Sequence, residues 1–242
     1  MTLARFDPTL DRGPVRRSAL AGMAAGLGAS WLDEATQWAA DYGDVSAEIA
    51  AATSAVVVAD WGPTDKLAVK GASGRRVLEG LGIGTPLGET AARTLAGTAL
   101  RTWALAPDET LLIVGADGIA DGPANALTAA VEAAGGTVTN LSSGLAGMRI
   151  VGPRARELLV EVCAVDLDPD RFADGRIAMA PIANVRVSFA RRDIGEVPAF
   201  ELLVARDQAA YLFEALLHVG AVHGVRPAGR RAIDAIAGGA RW

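Results

Sequence analysis

The side chains able to do chemistry are few in this chain, and most of them fail the spacing that a reaction needs. Asp108 and Glu109 are adjacent acids after Pro107, where ordinary turn chemistry explains them. Glu196 and Glu201 form a second acidic pair, in the second hairpin turn. His218 and His223 are the only histidines and stand five residues apart, so they do not share a helix face and make a poor metal pair. A histidine near a helix C-terminus is instead favoured by the dipole. Ser142-Ser143-Gly144 sits in a turn with no histidine to complete a serine triad. Gly80-Leu-Gly-Ile-Gly84 resembles a dinucleotide loop but follows a helix and not a strand, so the context fails. Cys163 is the single cysteine, which excludes an internal disulfide and a cysteine metal cluster; its apolar neighbours predict a buried thiol.

Bulk composition narrows the classes further. Hydrophobic residues make up 51% of the 242 and aromatics 5%, so the core is built largely from small side chains. The formal net charge of −5, with arginines in pairs such as Arg75-Arg76 and not in runs, argues against a nucleic-acid partner. No stretch has the length and apolarity of a membrane span. The segment after Arg16-Arg17 is too weakly apolar for an export signal, so cytoplasmic residence is the expectation.

What must position any functional residue is a duplicated unit. Lys66-Leu-Ala-Val-Lys-Gly71 leads into a helix, and about 80 residues later Gly147-Met-Arg-Ile-Val-Gly152 does the same. Each helix is followed by a strand–turn–strand: 100–105 with 110–114, then 182–189 with 199–204. Further helices are expected over 124–134 and 207–222. Each half opens with one more strand, at 55–59 and 137–141. The unit therefore reads β-β-α-β-β-α, and the fold class is α+β with two pseudo-symmetric lobes. A polar arm over 1–17 precedes a helical start and first lobe over 18–135, and a second lobe spans 136–242. Two helices are expected within 19–54, one beginning over Trp31–Trp38 and one near Ser46 with Asp44 or Ser46 as its cap. Trp242 at the tail could dock on a partner. The gap between the lobes is either a ligand cleft or plain mutual packing.

The repeat, together with its motifs, resembles the folate-binding aminomethyltransferase superfamily, typified by the glycine-cleavage T-protein, and within it the gamma subunit of sarcosine oxidase. Arg16-Arg17-Ser18-Ala19-Leu20-Ala21 is similar to the gamma-subunit opening. Val165-Asp-Leu-Asp-Pro-Asp-Arg-Phe172 and Pro198-Ala-Phe-Glu-Leu-Leu-Val-Ala-Arg206 resemble further stretches of that subunit. Ala104-Leu-Ala-Pro-Asp-Glu-Thr-Leu-Leu112 resembles the family's Gly-Pro-Asp-Glu-Trp-Leu-Leu hairpin.

The resemblance implies a tetrahydrofolate site in a central channel, with a glutamate matched by Gly195-Glu196 and Phe200-Glu201. A carboxylate there suits the pterin's N–H edge. Asp60 or Glu201 could replace a lost catalytic acid, because the family aspartate falls near Arg101 or Thr102, neither of them a carboxylate. Ala232-Ile-Asp-Ala-Ile236 lacks the family's two arginines, and the family's C-terminal β-barrel is not expected. Cofactor contacts are thus expected at Glu196, Glu201, Asp60 and Arg101, with no catalytic residue assignable. The implied role is a gamma-like accessory subunit of an N-methyl-amine-oxidising, tetrahydrofolate-linked complex, with the flavin on flavoprotein partner subunits. The alternative is a free-standing tetrahydrofolate-dependent aminomethyl- or methyltransferase with altered catalytic residues.

Overall fold

Alternating apolar strands closed by glycines dominate the chain, and in the computed structural model they assemble into two large sheets. The structure describes residues 17–114 and 121–238. Of the arm expected over 1–17 all but Arg17, and the tail residue Trp242, lie outside the described residues.

The chain begins with α1 (Ala21–Gly26), the short hairpin of β1 (Ser30–Trp31) and β2 (Ala39–Asp41), and α2 (Val45–Ser54). Strand β3 (Val56–Asp60) follows. The first repeated unit runs through β4 (Asp65–Lys70), α3 (Ala72–Gly80), β5 (Thr90–Leu95), β6 (Thr98–Ala106), β7 (Glu109–Val114), α4 (Asp121–Ala133) and β8 (Thr137–Asn140). The second runs through β9 (Leu145–Val151), α5 (Ala155–Val160), β10 (Ile177–Ile182), β11 (Val185–Arg191), β12 (Ala199–Ala205), α6 (Ala209–Val219) and β13 (Val225–Ala228). Helix α7 (Arg230–Ile236) comes last.

One sheet has the order β5-β6-β7-β4-β8 and the other β10-β11-β12-β9-β3-β13. The first four strands of each follow the same path in chain order. The outer ones are exchanged: β3 precedes β4 in the chain but pairs with β9, whereas β8 precedes β9 but pairs with β4. The strand that opens each half thus lies in the other half's sheet. Within the two large sheets every pairing is antiparallel except β13 with β3.

Period-two alternation assigns each face. Leu112 and Val114 of β7 join Leu78 of α3 and Leu127 and Val131 of α4 in one core. Met148 and Ile150 of β9 and Leu202 and Val204 of β12 join Leu158 of α5 and Leu212 and Phe213 of α6 in another. The opposite registers, with Trp103, Leu111 and Ile113 on one sheet and Ala190 and Leu203 on the other, pack sheet against sheet. Helices α2 and α7 cover the remaining face around Val57 and Ala228.

Three local expectations need correction. Residues 31–38 form a hairpin turn and not a helix start. Asp33 accepts from the amides of Ala35 and Thr36, and Gln37 sits at φ 48°, a left-handed conformation that a helix cannot continue through. The stretch 182–189 is not one strand: Ala183 and Asn184, at φ 48° and 64°, make the two-residue turn that separates β10 from β11. Each unit also holds a strand missing from the sequence reading, β5 and β10. Their partly exposed, weakly alternating burial gave no apolar period to detect. Asp44 does cap α2, accepting from the amide of Ala47.

Candidate functional site

Strand β12 carries Glu201 on the register of Leu203, so its side chain points into the layer between the sheets and not toward the helices. Its neighbour across the ladder is Arg149 of β9. Alternation likewise turns Arg149 away from Met148 and Ile150, which face the helices. From the opposite sheet, Arg101 of β6 arrives on the register of Trp103. Arg101 Nη1 donates to Glu201 Oε1 at 2.7 Å, and Arg149 Nη2 donates to the same oxygen at 2.8 Å. The side chains of Arg101 and Glu201 are 5% and 2% exposed, so this is a buried cross-sheet ion cluster. Glu201 Oε2 is buried and has no hydrogen-bond partner among the described residues.

Aromatic rings flank the cluster. The Arg149 guanidinium lies 5.1 Å from the centroid of the Trp61 ring, a cation–π contact, and Trp61 and Trp103 are 6.2 Å apart and tilted. Gly147 makes room for Trp61, since a Cβ there would come within 2.9 Å of the ring. Burial pulls the Arg149 guanidinium below its ordinary pKa and Glu201 pulls it back up, while the nearby Arg101 charge adds to the lowering. Two guanidiniums share one carboxylate, so the cluster is net cationic.

A second, half-buried carboxylate, Asp60, stands at the end of β3. Asp60 accepts a hydrogen bond from the Ser18 hydroxyl and, at 2.8 Å, from the Gly62 amide. Burial raises its pKa, against the Ser18 and Gly62 hydrogen bonds and the charges of Lys66 and Arg206. Lys66 is itself 1% exposed and donates to the Thr64 carbonyl at 3.1 Å. Arg17, Ser18, Asp60, Lys66, Ser142 and Arg206 line a cleft of about 280 Å³, its open mouth included.

The four residues singled out in the sequence therefore separate. Arg101 and Glu201 come together directly. Asp60 belongs to a different cluster. Glu196 is exposed in the two-residue turn Gly195-Glu196, closed by Ile194 and Val197. Arg149, Lys66 and Ser18 were not singled out. The signal for Arg149 was available, since it is the lone charge within the otherwise apolar strand β9, whereas Lys66 shares β4 with Asp65 and Lys70. The reading of Asp108 as turn chemistry fits its place between β6 and β7, where its carbonyl accepts from the Gly71 amide at 2.8 Å, whereas Glu109 already opens β7. Cys163 is buried and free. His223 pairs with Glu161 at 2.6 Å. Among the described residues no group of three or more His, Cys, Asp or Glu is placed to hold a metal ion, and no helix is long and apolar enough to cross a membrane.

Comparison with known proteins adds the lineage. Residues 100–237 match the GCVT N-terminal domain. The chain is 30% identical over 183 residues to the sarcosine oxidase subunit gamma of Corynebacterium sp. strain U-96, covering 75% of this chain and 80% of that one. It is 34% identical over 104 residues to an aminomethyltransferase of Bacillus cereus strain AH187, and that match spans 27% of the relative's length. Among solved structures, heterotetrameric sarcosine oxidase from Corynebacterium sp. U-96 matches with a TM-score of 0.64 at 24% identity, over 87% of this chain and 97% of that one. Aminomethyltransferase T of the glycine cleavage system from Bartonella henselae matches with a TM-score of 0.71 at 18% identity, over 92% of this chain and 62% of that one. At these identities the two structures speak to the fold.

Proposed function

The chain belongs to the GCVT N-terminal domain family, within the folate-binding aminomethyltransferase superfamily, and from that premise we propose that it acts as a gamma-like accessory subunit of a heteromeric, sarcosine-oxidase-type complex that oxidises an N-methyl amine. One observation carries the reading. Where the resemblance calls for an acid on the first hairpin strand, this chain has Arg101 and Thr102, neither of them a carboxylate, and Arg101 pairs with Glu201, the carboxylate facing it. A carboxylate committed to two guanidiniums cannot serve as the base or charge-stabilising acid that amine transfer needs. The sarcosine oxidase subunit gamma, matched over most of both chains, supports the same direction.

In this proposal the two halves, 18–135 and 136–242, form a pseudo-symmetric shell with their opening strands exchanged. The redox chemistry belongs to flavoprotein partner subunits. Tetrahydrofolate, which the family implies, fits the inter-sheet residues poorly. A pterin edge presents adjacent N–H donors and needs both oxygens of a carboxylate, whereas Glu201 Oε1 already accepts from Arg101 and Arg149.

The test is affinity purification of the tagged full-length chain from its native host, followed by size-exclusion chromatography with flavin absorbance. The expected result is co-elution with flavin-bearing subunits in a fixed ratio. Elution as a monomer without flavin overturns the proposal.

A further inference from the structure

The Glu201 cluster has the layout of a binding slot and not only of an ion pair. The acceptor is a carboxylate fixed on one sheet. Arg149, its ladder neighbour, holds that carboxylate in orientation from the adjacent strand. Arg101 reaches it from the opposite sheet, across 100 positions of sequence, and presents a flat N–H fork, while the Arg149 guanidinium lies over the Trp61 ring. Arg101 nevertheless donates to Oε1 alone, and Oε2, equally buried, has no donor. A planar group with two parallel N–H donors would satisfy both oxygens, as bidentate guanidinium–carboxylate pairs do. The slot thus has a shape and a residual acceptor that its present occupant does not fully use.

We propose that Arg101 is a built-in occupant of this slot: its guanidinium fills in cis a site for a planar N–H edge, and so closes that site to free ligands of the same chemistry, namely guanidinium, amidine and aminopyrimidinone edges, the pterin of tetrahydrofolate among them. The inference stands on the inter-sheet geometry and does not depend on whether oxidase partners are found. Arg149 is a positioning residue in this scheme and Glu201 is the acceptor.

Removing the occupant tests it. Thermal melts of the full-length chain are followed with millimolar methylguanidinium as probe and methylammonium as a control that carries charge without a fork. Arg101→Gly is expected to show a melting temperature raised by about 3 °C when the probe is tenfold above its Kd. Wild type and the double variant Arg101→Gly with Glu201→Gln are expected not to shift, and methylammonium is expected to act at least tenfold more weakly. Calorimetry with tetrahydrofolate is expected to give no heat with wild type and measurable heat with Arg101→Gly. If Arg101→Gly does not fold alone, refolding with methylguanidinium present recovers it under this proposal. The proposal is overturned by tetrahydrofolate binding to wild type as tightly as to Arg101→Gly, by rescue that persists in the Glu201→Gln background, or by no recovery or shift with methylguanidinium.

Discussion

Glu201 and Asp60 are both carboxylates withdrawn from water, yet they are held in opposite ways. Glu201 is met by two full positive charges, one of them from the other sheet. Asp60 is met first by neutral donors, the Gly62 amide two residues on and the Ser18 hydroxyl 42 residues back, with Lys66 and Arg206 contributing through their charges. The difference lies in what each carboxylate ties together. An ion cluster between sheets repays its desolvation only while every member is present. A carboxylate held by neutral donors can instead take up a proton when burial favours the uncharged form, and the raised pKa of Asp60 reflects that.

The comparison breaks most visibly at Glu201. Glu201→Ala removes the carboxylate that two guanidiniums share and is expected to cost about 3–5 kcal/mol, measured as a lowered urea midpoint in tryptophan fluorescence. The sharper version replaces the whole cluster with Arg101→Met, Glu201→Leu and Arg149→Met. That apolar set is expected to match or exceed wild-type stability, because the desolvation cost disappears with the charges. A triple variant as damaged as Glu201→Ala contradicts this account of the cluster.

At the second cluster the effects are smaller. Ser18→Ala removes one hydrogen bond to a half-buried carboxylate and is expected to cost about 1–2 kcal/mol in the same urea assay. A loss as large as that at Glu201 erases the contrast between the two sites. The subtlest effect is in pH dependence. Because the Asp60 pKa is raised in the folded chain, the native state holds a proton that the unfolded state has released, from about pH 3.9 up to the raised value. Stability contributed by this group therefore falls as pH rises through that window. Asp60→Asn removes that share of the slope, so the wild-type minus variant difference in unfolding free energy declines with rising pH and then levels. A difference that climbs with pH reverses the sign and refutes the assignment.

Much of the scaffold was legible because its signals are local. Gly71 and Gly152, aligned by the repeat, both sit at positive φ, 95° and 137°, between a strand and a helix. The requirement is strongest at Gly152, where a Cβ would meet the Ala55 carbonyl oxygen at 2.4 Å. Their amides donate to the carbonyls of Asp108 and Pro198, which lie just before the equivalent strands β7 and β12. Strands β5 and β10 escaped because their faces are too exposed to alternate, and the hairpin around Gln37 escaped because a tryptophan-rich stretch mimics a helix start. At the site, the Gly195-Glu196 motif drew attention to Glu196. Strand parity instead sends Glu201 inward and leaves Glu196 on an exposed turn.

The amino-acid sequence by itself determined the repeated strand–glycine–helix units, a capped helix start at Asp44 or Ser46, the buried thiol of Cys163 and the order of motifs shared with the family, since each depends on neighbours within a few residues or on linear order. Only the tertiary structure decided that β3 and β8 trade sheets, that Asp60 and Glu201 belong to separate clusters, and that Arg101 closes on Glu201. Those outcomes depend on which sheet faces meet across long stretches of chain, and face-to-face packing leaves no periodic trace in the sequence around either partner.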